Sequence, residues 1–102
     1  MKIANWERLP QESNTGQFFF AGAMYITQGV NALRPAEILF IYWDLRAFVK
    51  ENPNGVDYLQ VYIDRETNRR LYFIDNLSKS MIDSGDYKPE DNYCTLLFSE
   101  EY

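Results

Sequence analysis

Histidine is absent from this chain of 102 residues, and cysteine occurs once, as Cys94. Without histidine there is no imidazole acid–base pair, no Ser-His or Cys-His nucleophile system and no zinc site of the usual kind. A lone cysteine forms no internal disulfide, so a cytoplasmic setting is the expectation. Glycine is sparse too, and Gly16, Gly22, Gly29, Gly55 and Gly85 are scattered. None belongs to a phosphate-cradling loop. No run of 18 apolar residues exists, which excludes a membrane-spanning helix. The start, Met1-Lys2-Ile3-Ala4-Asn5-Trp6-Glu7-Arg8, lacks the apolar stretch of a signal peptide.

What is present is apolar and aromatic. Hydrophobic residues make up 46% and aromatics 17%, enough for one compact core and a single domain. Charge is distributed unevenly. Residues 81–102 hold six acids (Asp83, Asp86, Glu90, Asp91, Glu100, Glu101) and one base, Lys88, which accounts for the whole net charge of −5. An acidic end on a neutral body suits a basic protein partner better than nucleic acid, whose phosphates demand Lys and Arg. Arg65, Arg69 and Arg70 form the one basic cluster and read as the flank of a turn.

Residues 1–16, with Pro10 and Ser13-Asn14-Thr15-Gly16, read as an N-terminal arm that Trp6 and Leu9 could pin to the body. Residues 17–102 form the domain. The aromatic and β-branched run 17–27 predicts a strand bent at Gly22, with Gln28-Gly29 turning the chain. A helix over 36–50 follows, introduced by Pro35 and stopped by Asn52-Pro53-Asn54-Gly55. Ile38, Ile41, Tyr42, Leu45, Phe48 and Val49 form its apolar stripe. Leu39, Phe40, Trp43 and Ala47 lie outside that stripe, where a surface helix normally shows charge. Either the helix is embedded between sheet and arm, or these residues form an exposed aromatic surface for a partner or a second copy.

Residues 57–64 alternate, placing Leu59, Val61 and Ile63 on one side and Tyr58, Gln60, Tyr62 and Asp64 on the other. The aliphatic side is expected to face the helix, leaving Tyr58 and Tyr62 on an open tyrosine face suited to contact. Arg65–Asn68 make a turn into a returning strand, 69–75. A helical turn near Ser78–Ile82 and a last strand, 92–98, complete the chain, with Cys94, Leu96 and Phe98 on one face. The expected fold is α+β: a mainly antiparallel sheet of about four strands with one long helix packed on one face.

Few constellations suggest chemistry. The loop Asp83–Asp91 does not match the spacing of a calcium-binding loop, so it reads as solvated and no metal or cofactor is expected. Asp64 and Asp75, at the ends of adjacent strands, are the nearest carboxylate pair for glycosidase-type work. Cys94 reads as a buried structural thiol. Tyr102 could dock its ring on the sheet and hold the acidic end rigid.

Four segments carry a resemblance: Thr27-Gln28-Gly29-Val30, the apolar helix with Trp43-Asp44-Leu45, Asp57-Tyr58-Leu59-Gln60-Val61-Tyr62, and Thr95-Leu96-Leu97-Phe98-Ser99-Glu100-Glu101-Tyr102. In this order, over about residues 23–102, the chain resembles a small domain-of-unknown-function family of Gram-positive bacteria. That family occurs in staphylococci and relatives, often on phages, plasmids and chromosomal cassettes. Its members often carry a longer, His- and Gln-containing segment after the Asp-Tyr-Leu-Gln strand, where this chain has a short hairpin. The resemblance implies a mobile-element setting, not a mechanism, and carries over no catalytic residue set. The resulting expectation is a non-enzymatic protein that binds and inhibits a host nucleic-acid-handling or defence protein, of the anti-CRISPR or anti-restriction type. Asp83, Asp86, Glu90, Asp91, Glu100, Glu101 and Tyr102 would meet the basic partner, with Leu39, Phe40, Trp43, Tyr58 and Tyr62 as further interface. The alternative is a self-associating structural or regulatory module, a homodimer built on Phe40, Trp43 and Ala47.

Overall fold

The computed structural model describes residues 5–12 and 16–102. The long helix, α2, spans Pro35–Glu51. Pro35 occupies its first turn, where a missing N–H costs nothing, and the Glu37 side chain accepts a hydrogen bond from the Arg34 backbone N–H at 3.1 Å. Ile41, Leu45 and Val49 are its buried residues, following the predicted stripe.

Five strands form the sheet: β1 (Trp6–Arg8), β2 (Ala23–Ile26), β3 (Leu59–Asp64), β4 (Arg69–Asp75) and β5 (Tyr93–Phe98). Their order is β1-β3-β4-β5-β2, antiparallel at every pairing except β2 with β5, which is parallel. The expectation of about four strands was one short, because β1 lies within the segment read as an arm. Three residues carry no visible alternation, yet Trp6 is buried in the core and β1 pairs with β3. Between residues 17 and 27 the strand occupies only 23–26. Phe20 stands in the left-handed region, φ 50°, so the segment before Gly22 is loop, with one bridge from Phe18 to Val56. Gln28-Gly29 opens a short helix, α1 (Gln28–Asn31), capped by the Thr27 hydroxyl. A second short helix, α3 (Lys79–Asp83), is capped by Ser78.

The two faces of β3 are the reverse of the expectation. Tyr62 and Gln60 are fully buried, Tyr62 in the core beside the helix, while Leu59 and Val61 are half-buried on the other side and Ile63, though buried, lies outside the core cluster. Partners from elsewhere in the chain permit this. The Tyr62 hydroxyl donates to Asp44 Oδ2 of α2 at 2.8 Å, and Arg8 Nε of β1 donates to the same oxygen at 3.1 Å. The Gln60 amide donates to Gln11 Oε1 and to the Asp57 carbonyl, each at 3.0 Å. Buried polar tips are tolerated when hydrogen-bonded. The Arg8 guanidinium also stacks on Phe48, 3.7 Å from the ring centre. Around this node the core gathers Trp6, Tyr62, Leu71, Phe73, Cys94, Leu96 and Phe98 from the sheet against Ile41, Leu45 and Val49.

The node makes a graded prediction. Tyr62→Phe should lower unfolding free energy by about 1 kcal/mol, the net worth of one hydrogen bond. Asp44→Ala should cost about 2 kcal/mol or more, because it strands a buried hydroxyl and an arginine together. Urea unfolding followed by fluorescence reads both; equal costs would mean that Asp44 holds nothing besides Tyr62.

Candidate interaction surfaces

The acidic residues do not form one patch. Asp83, Asp86, Glu90 and Asp91 precede β5, whereas Glu100 and Glu101 follow it. Six residues of strand separate the groups by about 20 Å. Asp83 pairs with Lys79 across one turn of α3, Asp86 accepts from the Ser84 hydroxyl, and Asp91 accepts from the Lys88 backbone. All four side chains stay exposed.

The second group is used inside the molecule. Glu101 Oε1 accepts from the Thr27 hydroxyl at 2.7 Å and from the Phe98 N–H at 2.8 Å, while Oε2 accepts from the Gly29 N–H at 3.2 Å. The hydrogen bond from Thr27, then that from Phe98, holds its carboxyl below the usual glutamate range. Gly29 is needed for this approach, since a Cβ there would lie 2.7 Å from the carboxylate. Glu100 pairs with Arg69 at 2.9 Å, and that guanidinium lies 3.7 Å from the centre of the Phe98 ring. Tyr102 sets its ring edge-on to Tyr72, centroids 5.8 Å apart, and remains 80% exposed. Two of the four segments that carry the resemblance, Thr27–Val30 and Ser99–Tyr102, therefore touch through Glu101. No local signal could reveal a clamp between residues so far apart in sequence.

The aromatic residues divide differently. Leu39, Phe40 and Trp43 are 55%, 44% and 64% exposed on the outer side of α2. Among the described residues, none covers this side of the helix. Arg46 leaves this face and turns inward, where its guanidinium donates to the Phe19 and Phe20 carbonyls. Tyr42 braces Trp43 edge-on at 5.3 Å, ordering the indole without covering it. Tyr58 is exposed on the sheet side and contacts Phe18, but Tyr62 is lost as an interface residue because it is buried. Burial, followed by the charge of Asp44, pushes the Tyr62 phenol far up. The open sheet face carries Tyr25 and Tyr93 instead, in edge contact at 5.5 Å.

The candidate chemical groups stand apart. Asp64 pairs with Arg69 at one end of the β3–β4 hairpin, and Asp75 lies at the other, so the carboxylates do not share a site. Asp64 accepts from the Glu66 N–H in the turn. Asp75 accepts from the N–H groups of Phe20 and Asn76, and burial still raises its carboxyl above the usual range. Cys94 is buried, as expected. Burial, followed by the charge of Asp75, pushes its thiol up to about 12, so it is not a thiolate at neutral pH. Among the described residues no three acidic or cysteine side chains gather as a metal site. An open apolar groove of about 430 Å³ runs between Phe19, Ala21, Pro53, Leu77 and Ile82. No helix among the described residues is long and apolar enough to cross a membrane.

Comparison with known proteins found no matching family model, no matching curated protein and no matching solved structure.

The Glu101 clamp has a pH signature. A carboxyl held low in the folded state contributes stability that is complete above the unfolded glutamate range, about 4.3, and is lost as pH falls through the folded value. The Gly29 and Phe98 amide resonances should therefore move together in NMR spectra below about pH 4. In Glu101→Gln that shared titration should be gone; its persistence would assign it to another group.

Proposed function

We propose that this chain is a non-enzymatic protein-interaction module that meets its partner through the outer face of α2. The observation behind this is the exposure of Leu39, Phe40 and Trp43 on a helix whose opposite face already fills the core. Large apolar residues side by side on a surface cost solubility and bring no core packing. Aromatic side chains supply the central contacts of protein interfaces. The acidic end is a weaker contender than its charge suggests, since Glu100 and Glu101 are engaged within the fold.

Four exposed carboxylates in the segment before β5 favour a second reading. In it, Asp83, Asp86, Glu90 and Asp91 meet a basic, nucleic-acid-handling host protein, and the module acts as a mobile-element inhibitor. Mixing with candidate host nucleases at about 50 and 300 mM salt separates the two readings. Heteromeric binding that weakens with salt, and with neutralisation of those four residues, supports inhibition. Binding indifferent to both leaves the aromatic face as the contact.

If the outer face of α2 serves contact rather than folding, Phe40→Ser with Trp43→Ser should unfold within about 0.5 kcal/mol of the unaltered protein. The measurement belongs at low micromolar concentration, where association contributes little. A loss of about 3 kcal/mol or more would make these residues structural and end the reading.

A further inference from the structure

Resting on the reading of α2 as a contact face, we infer that its partner is a second copy of this chain, docked with the two α2 helices antiparallel. The outermost stripe of the helix is Ala36, Phe40, Trp43 and Ala47, all exposed. Its spacing of four, three and four residues reads the same in both directions, small–large–large–small. A twofold axis midway between Phe40 and Trp43 sets Phe40 of one copy against Trp43 of the other, and Ala36 against Ala47. The rings then stack against one another at the centre, and the alanines at either end let the helices approach closely at a shallow crossing angle. A twofold interface must be self-complementary, and this stripe is.

Charge supports the same occupant and orientation. No charged side chain lies on the stripe itself, so it offers nothing specific to a strongly basic or acidic partner. The acidic segment starts near the C-terminal end of α2, where Pro53 and Asn54 share a groove with Lys79, Asp83 and Ser84. Parallel helices would bring the two acidic segments together. Antiparallel helices, each of 17 residues and about 25 Å long, place them at opposite ends of the pair. That arrangement also sets each helix's positive end beside the other's negative end.

Area limits the interface. At the exposures given above, Phe40 and Trp43 leave about 250 Å² uncovered per copy. A standard stable interface takes about 800 Å² from each partner, so this pair is a reversible dimer.

Sedimentation velocity from about 5 to 500 µM, the range of weak reversible association, should show the mass rising from one chain toward two. Trp43→Ser should raise the midpoint at least tenfold. Orientation is read by cross-linking. Cys94 is buried, so thiols introduced at Ala36→Cys and Ala47→Cys are the reactive ones. A mixture of the two variants should give the disulfide-linked pair readily, and either variant alone should not. Linkage within Ala36→Cys alone, or a single-chain mass at every concentration, overturns the inference. If the mass stays single while Phe40→Ser with Trp43→Ser leaves stability intact, the contact face survives with a different protein as its partner. If that double variant unfolds, the contact reading itself fails.

Discussion

Asp44 decides how this molecule presents itself. Tyr62 has no exposure, so its hydroxyl must find an acceptor within the protein, and the Asp44 carboxylate supplies it. Together with the buried stripe of Ile41, Leu45 and Val49, that bond sets the rotation of α2 about its own axis. Successive helical residues differ by about 100°, so holding Asp44 at the sheet's flank swings Trp43 away from the sheet. The same oxygen accepts from Arg8 and draws β1 onto the edge of β3. One carboxylate thus joins three elements distant in sequence. The exposed aromatic stripe lies on the side of α2 away from that attachment and from Ile41, Leu45 and Val49.

Charge near the end of the chain turns out to have two uses. Before β5, acids sit in an exposed segment whose bonds are local. After β5, Glu101 reaches across to Thr27 and Gly29, and Glu100 reaches to Arg69. The second pair closes the domain: α1 and the residues beyond β5 become neighbours through one side chain. A net charge counted along sequence merges these two groups, although a full strand separates them in space.

How much of this was legible depends on whether the signal was local. Helix α2, with Pro35 and its 3.6-residue stripe, was readable because caps and periodicity act within a few residues. The β3–β4 hairpin was readable for the same reason, as was burial of Cys94 beside Leu96 and Phe98. Alternation in β3 correctly separated Leu59, Val61 and Ile63 from Gln60 and Tyr62, but it did not show which side faced the helix. That choice was made by Asp44 and Gln11, which no pattern ties to β3. β1 escaped notice because three residues are too few to alternate. On α2, both faces are apolar between Leu39 and Ala47, so composition could not say which was covered.

The parallel pairing of β2 with β5 joins Ala23 to Tyr93, seventy residues later. Every other pairing of β5 is with β4, its near neighbour in sequence. Closing so long a loop is entropically slow, whereas the β3–β4 hairpin closes over a short turn. Loop length alone favours the hairpin first, then β5 beside β4, with the long-range pairings of β1 to β3 and β2 to β5 later. A chain emerging from the ribosome makes β2 early but cannot seat it until β5 has been made. Throughout that interval Met24 and Ile26 wait without their place in the core, and the growing chain carries an unpaired strand that β5 alone covers in the fold.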